Sequence, residues 1–185
     1  MTSPRGSSTC NSTNSIITLT YRNDKSSMDS ICLLENAGID FDQLLSKGIT
    51  NNFFAECFVP SGLVLNDDIN WVTFHGIYDF AYFLKLVTNL PLPNEEERFY
   101  KELDIYFPNY FDTRQLLSNY SWLKGSLIKI AADLDIERIG AIHQAGSDSL
   151  VTSKLFHRIS ENFPELDFST EKNKLFGVNN FYNEK

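Results

Sequence analysis

Apolar residues along this chain fall mostly into short blocks with helical spacing, and two or three β-branched or aromatic runs lie between them. Ile16–Tyr21 (IITLTY) predicts a short strand, followed by the polar turn RNDKSS. Ser26 or Ser27 can cap the next helix, with Asp29 in its first turn, Ile31, Leu33 and Leu34 on its apolar side, and Gly38 at its end. FDQLLSKG predicts a second helix, and NNFFAECFVPSG a third that opens at Thr50 or Asn51 and is closed by Pro60 and Gly62. The strongest strand is Ile69–Phe74 (INWVTF), bounded by Asn66-Asp67-Asp68 and Gly76. The helix YDFAYFLKLVTNL follows it directly. Pro91 and Pro93 break the chain, and Asn94 is expected to cap NEEERFYKELDIYF, whose glutamates suit a solvated helix start. A short strand at Tyr110–Thr113 precedes RQLLSNY, a helix runs from Gly125 or Ser126 through IKIAADLDI, and HQAGSDSLVTSKLFHRI (143–159) forms the last long helix. The end, FPELDFSTEKNKLFGVNNFYNEK, has weak periodicity.

This pattern is helix-rich with few strands, one of which passes straight into a helix, and it implies an α/β or α+β layer architecture short of sheet. Residues 1–15 are rich in Ser, Thr and Asn and predict a disordered tail; residues 16–185 make one domain. No apolar run is long enough to cross a bilayer, and MTSPRGSSTCNSTNS lacks the order of a secretory signal, so a cytoplasmic or nuclear location and no membrane partner are expected. The net charge of -8 argues against a broad basic face for nucleic acid, although divalent cations can reverse the local field at a carboxylate site. Cys10, Cys32 and Cys57 form neither a disulfide framework nor a zinc pattern, and Cys32 and Cys57 are expected in the core.

Chemistry concentrates at two helix starts. Asp79 follows the best strand, where open sheets place ligands, but a carboxylate there is equally explained by the helix dipole. His75 could be a ligand, but a structural role is the expected one. Asp148 shares the same ambiguity, whereas His143 stands outside its helix in a turn made flexible by Gly146 and can face the cleft that Asp148 faces. That pair suits hydrolysis: a carboxylate holds a divalent cation while an imidazole accepts the proton of a water attacking a phosphodiester. His157, beside Arg158, is expected on the surface. Tyr78, Phe80, Tyr82 and Phe83 offer a stacking platform for bases, although aromatic residues at this spacing are more often core.

The strings SGLVLNDDINWVTFHGIYDFAYFLKLVTNLPLP, YFPNYFDTRQLL and LDIERIGAIHQAGSDSLVTSKLF closely resemble the Caf-type deadenylases, the CCR-associated factor/Pop poly(A) ribonucleases of the CCR-NOT mRNA-decay complex in the DEDD superfamily. The likeness runs from about Met28 to Phe163 and is greatest to the plant members. It implies an α/β, RNase H-like (DEDD exonuclease) fold and a 3′-to-5′ exoribonuclease that shortens mRNA poly(A) tails. By matching strings it also implies Asp79 and Asp148 as the third and fourth acidic metal ligands, His143 as general base, and Mg²⁺ or Mn²⁺ as cofactor. Implied partners are poly(A) RNA, the scaffold subunit of the complex, contacted near FAECFVPSGLVL, and a second deadenylase subunit, with residence in cytoplasm and nucleus. Pro60 departs from the family pattern in that scaffold segment.

The resemblance also implies an Asp-x-Glu pair on a first strand, well before the segment matching MDSICLLENAGIDF, and the residues ahead of Met28 contain none. Asp40-Phe41-Asp42 falls inside the GIDF segment and is rejected as a substitute. Two carboxylates cannot neutralise or space two divalent cations, which two-metal catalysis holds about 3.5–4 Å apart, so weak metal binding is expected. The leading strands should be missing or replaced, leaving a strand edge uncovered unless IITLTY fills it. The alternative to an enzyme is a non-catalytic interaction subunit, or a truncated paralogue, that binds the scaffold.

Overall fold

A computed structural model describes residues 9–10, 19–20 and 27–178. The expected disordered tail lies outside them, apart from Thr9–Cys10 (β1), which pairs antiparallel with Leu19–Thr20 (β2). IITLTY therefore contributes Leu19 and Thr20 to a small ribbon with β1, not to the main sheet; its other residues lie outside the described ones.

Local chemistry sets most helix starts. Helix α1 (Met28–Asn36) is capped by Ser27, whose hydroxyl accepts from the Ser30 N–H at 3.1 Å. Gly38 leaves it in the left-handed region (φ 92°). Asp40 caps α2 (Phe41–Lys47) and Thr50 caps α3 (Asn51–Phe58). A 3₁₀ turn, Val59–Ser61, accommodates Pro60 in its opening positions. After β3 (Trp71–Thr73) come α4 (Ile77–Thr88), α5 (Glu96–Tyr106) and β4 (Tyr110–Asp112). Helices α6 (Thr113–Leu116), α7 (Leu127–Asp133), α8 (Ala145–Asn162) and α9 (Phe168–Glu171) complete the order. Asn94 does not cap α5: the helix begins later, with Glu95 at the cap and no side-chain bond there.

Strands β3 and β4 run parallel, Val72 opposite Phe111, with α4 and α5 between them in sequence. The two-residue period of β4 divides the interior. Tyr110 packs with Phe80, Leu84, Leu103 and Phe107 beneath α4 and α5. Phe111 faces the other way, into Leu116, Ile130, Val151, Leu155 and Ile159 from α6, α7 and α8. The result is a helix–sheet–helix sandwich on a narrow sheet, the α/β arrangement expected.

The two strands differ in cover. Every residue of β4 is buried, whereas those of β3 are half-buried, because β3 pairs only with β4 among the described residues. Cys32 and Cys57 are exposed, not core thiols. Helix α1 buries Ile31 alone, so the adjacent Cys32 and Leu33 turn outward, and α3 buries no residue fully.

Candidate active site

Two helix starts meet at one cleft of about 650 Å³. Its lining includes Asp79 and His75 from the β3–α4 junction, Asp148 and His143 from the start of α8, Arg138, and Val72 and Thr73 from β3.

The β3–α4 junction turns within three residues. His75 adopts a left-handed φ of 60°, Gly76 occupies the helix cap, and Asp79 falls in the first turn. Glycine is required at 76 for space, since a Cβ there would lie 2.3 Å from Thr73 Oγ1. The turn is held from below by Asp112, which is 0 % exposed. Its carboxylate accepts four backbone N–H bonds: from His75 at 2.7 Å, Gly76 at 3.1 Å, Arg114 at 3.0 Å and Phe176 at 3.1 Å. These charge-assisted bonds compensate its burial and tie together the α4 start, the α6 start and the C-terminal segment. Thr113 adds a hydroxyl bond to the Thr73 carbonyl at 2.8 Å. Asp112 carries no functional motif in the sequence. The available signal was an Asp between a short strand and a polar Thr-Arg step, the pattern of a helix cap.

The α8 start is built differently. His143 is also left-handed, at φ 62°, and Gln144 is the helix cap. The turn thus comes from His143 itself; Gly146 is an ordinary helical residue and lends it no flexibility. The Gln144 side chain donates to the Ala37 carbonyl at 2.9 Å, pinning the loop to the end of α1. Arg138 Nη1 donates to Ser147 Oγ at 2.9 Å and to Asp148 Oδ1 at 2.6 Å. No hydrogen bond engages the Asp79 carboxylate or the second Asp148 carboxylate oxygen among the described residues. His143 also lines a neighbouring groove of about 710 Å³ between α1 and the loop preceding α8.

The structure therefore brings Asp79, Asp148 and His143 into one cleft and adds His75 and Arg138, neither assigned chemistry by the sequence reading. His157 is exposed and is not among the cleft residues. Of the four aromatics beside Asp79, Phe80 is buried and Phe83 packs against Phe58, Trp71 and Phe107, whereas Tyr78 and Tyr82 are 72 % and 65 % exposed. The last two are not core.

No family model matches the chain. The chain is 47 % identical over 135 residues to Probable CCR4-associated factor 1 homolog 7 of Arabidopsis thaliana, covering 73 % of this chain and 49 % of that protein. It is 42 % identical over 162 residues to poly(A) ribonuclease pop2 of Schizosaccharomyces pombe, covering 87 % and 48 %. Among solved structures, S. pombe Pop2p in its Mg²⁺- and Mn²⁺-bound form superposes with a TM-score of 0.80 at 42 % identity, over 86 % of this chain and 64 % of that one. Over this shared length the chain is a homologue of the CAF1/Pop2 proteins. CAF1 co-crystallised with the yeast NOT1 MIF4G domain also matches, with a TM-score of 0.68 at 25 % identity, over 84 % and 62 %. The chain spans about half the length of the curated relatives it matches. The fold is that of the Pop2 RNase domain, RNase H-like and helix-rich with a small sheet.

The described residues do not fit a two-cation centre. Among them no three His, Cys, Asp or Glu side chains are grouped to hold a metal ion, and one of the two cleft carboxylates is paired with a guanidinium.

Proposed function

We propose that this chain is part of a poly(A)-specific 3′-to-5′ exoribonuclease that shortens mRNA poly(A) tails within the CCR-NOT complex. The observation that carries the reading is the convergence of Asp79, His143 and Asp148 in one cleft of a Pop2-like fold. His143 is the general base: it accepts a proton from the water whose oxygen attacks the terminal phosphodiester, while the P–O3′ bond breaks, the departing 3′ oxygen takes up a proton from solvent and a mononucleotide leaves. Asp79 and Asp148 would be the acidic ligands for Mg²⁺ or Mn²⁺, which would stabilise the charge developing on the phosphate. With Arg138 on one of them, they hold a divalent cation weakly, so the activity of this chain alone is expected to be low. Tyr78 and Tyr82 give adenine rings an exposed face beside Asp79. Work in both cytoplasm and nucleus accords with a substrate found in both.

A second reading is a non-catalytic subunit that binds the complex's scaffold and a second deadenylase. It draws support from the lack of a grouped acidic set among the described residues and from the CAF1 structure with NOT1. Around the candidate scaffold segment, Phe53, Leu63 and Leu65 are 55 %, 43 % and 51 % exposed, and Pro60 sits inside the 3₁₀ turn without breaking it.

A deadenylation time course separates the two. Purified protein is incubated with 5′-labelled RNA ending in poly(A) and Mg²⁺ or Mn²⁺, beside Asp148→Ala. Slow stepwise shortening, lost in the variant, is the expected result. A folded protein that shortens nothing at any cation concentration supports the second reading.

A further inference from the structure

We propose that Arg138 is a built-in cation that occupies the charge of Asp148 and competes with a divalent cation for it. The proposal rests on the reading of Asp148 as a cation ligand.

The guanidinium is part of the framework. Its side chain is only 18 % exposed, Nη1 bridges Ser147 Oγ and Asp148 Oδ1, and Nη2 is buried without a hydrogen-bond partner. The chain beyond it turns at Gly140, with φ 90°, so close to α8 that a Cβ there would lie 3.3 Å from Ser147 Cβ. The segment carrying Arg138 is thereby pressed against the helix start that carries Asp148. Arginine keeps its charge at every pH a protein survives, so this partner cannot withdraw by losing a proton.

A cation on the free Asp148 oxygen would stand within a few ångströms of that fixed charge, well inside a Debye length of about 8 Å, where salt screens little. Asp79 is the other carboxylate in the cleft lining, and the remaining titratable groups there are His75 and His143. Two carboxylates less one guanidinium leave a single negative charge to attract a dication. The opposite view makes Arg138 a brace whose loss would loosen Asp148 and weaken binding. Coulomb repulsion between a dication and a fixed guanidinium at such range outweighs the freedom of one carboxylate rotor, so competition dominates.

The test is Mn²⁺ binding to the intact chain, read as free Mn²⁺ by electron paramagnetic resonance. Arg138→Gln keeps a hydrogen-bond donor and removes the charge, and it is expected to tighten Mn²⁺ about tenfold. Arg138→Lys keeps the charge and is expected to stay at the parent affinity, as is Ser147→Ala. Adding Asp148→Asn to Arg138→Gln should cancel the gain. An Arg138→Gln protein that binds Mn²⁺ no more tightly than the parent overturns the proposal. If Asp148→Asn leaves Mn²⁺ binding unchanged in both backgrounds, Asp148 is not a ligand and the functional reading of the cleft fails with it. Should Arg138→Gln not fold, an Mg²⁺ titration of the parent followed through its arginine side-chain NMR signals decides. The Arg138 signals should move with the binding midpoint; signals unmoved while Mg²⁺ binds overturn the proposal.

Discussion

The starts of α4 and α8 repeat one design with opposite consequences for the acid each presents. In both, a left-handed histidine precedes the cap and an aspartate occupies the first turn, facing the same cleft. At α4 the turn is fixed from behind by a buried anion: Asp112 takes the N–H groups of His75 and Gly76 and leaves Asp79 clear. At α8 it is fixed from the side by a cation that touches the acid itself. Identical residue types at a helix start therefore do not guarantee equivalent carboxylates. The group that anchors the turn decides whether the charge remains available.

Removing the anchor of the first start should have the largest effect. Asp112→Ala leaves four backbone donors, one buried and three part-buried, without their acceptor, and a loss on the order of 2–4 kcal/mol is expected in urea unfolding. A loss below about 1 kcal/mol would mean that water replaces the carboxylate and that the α4 turn does not depend on it. Next comes the glycine pair. Gly76→Ala drives a Cβ into Thr73 and should cost about 1–3 kcal/mol by the same measurement. Gly146→Ala meets nothing within 4 Å in a helical stretch and should stabilise by about 0.5–1 kcal/mol. Equal responses at the two positions would break the distinction between a crowded start and an open one.

The smallest expected effect is a pH response at a surface cap away from both starts. Asp167 caps α9, and its bonds from the Ser169 hydroxyl and backbone N–H hold its carboxyl below the ordinary value of 3.8. Because the folded pKa is the lower one, the cap's contribution is complete above the ordinary value. It is lost as pH falls through the folded value. Thermal melts from neutral to strongly acid pH should show a shallow dependence that Asp167→Asn lessens, since the amide does not titrate in that window, while Asp40, Glu97 and Glu165, whose carboxyls are also held below their ordinary values, still do. An unchanged profile in the variant would assign the acid response elsewhere.

Capping by Ser27, Thr50 and Ser126 was legible because a cap bonds the N–H groups of the next few residues, which lie beside it in the string. The same logic failed at Asn94, where the helix begins past the expected residue and no side chain bonds the start. Cys32 and Cys57 were expected in the core, and Tyr78 and Tyr82 were offered as a stacking platform with a core place the commoner outcome at that spacing. Their exposure follows from which face of each helix is covered: α1 buries only Ile31, and α4 turns Phe80, Leu84 and Val87 inward and leaves Tyr78 and Tyr82 outside.

The sequence by itself determined the caps at Ser27, Thr50 and Ser126, the place of the two sheet strands, and the acid and imidazole at each of two helix N-termini. All of these follow from side chains acting on backbone within a turn or two. Only the tertiary structure decided that Asp79, Asp148 and His143 share a cleft, that Asp112 lies 37 residues from the histidine it holds, and that Arg138 reaches Asp148. Those pairings depend on how β4 divides the core and on how the Gly140 turn presses its segment against α8. Packing of distant segments sets the distance and dielectric between charges, and a residue pattern contains neither.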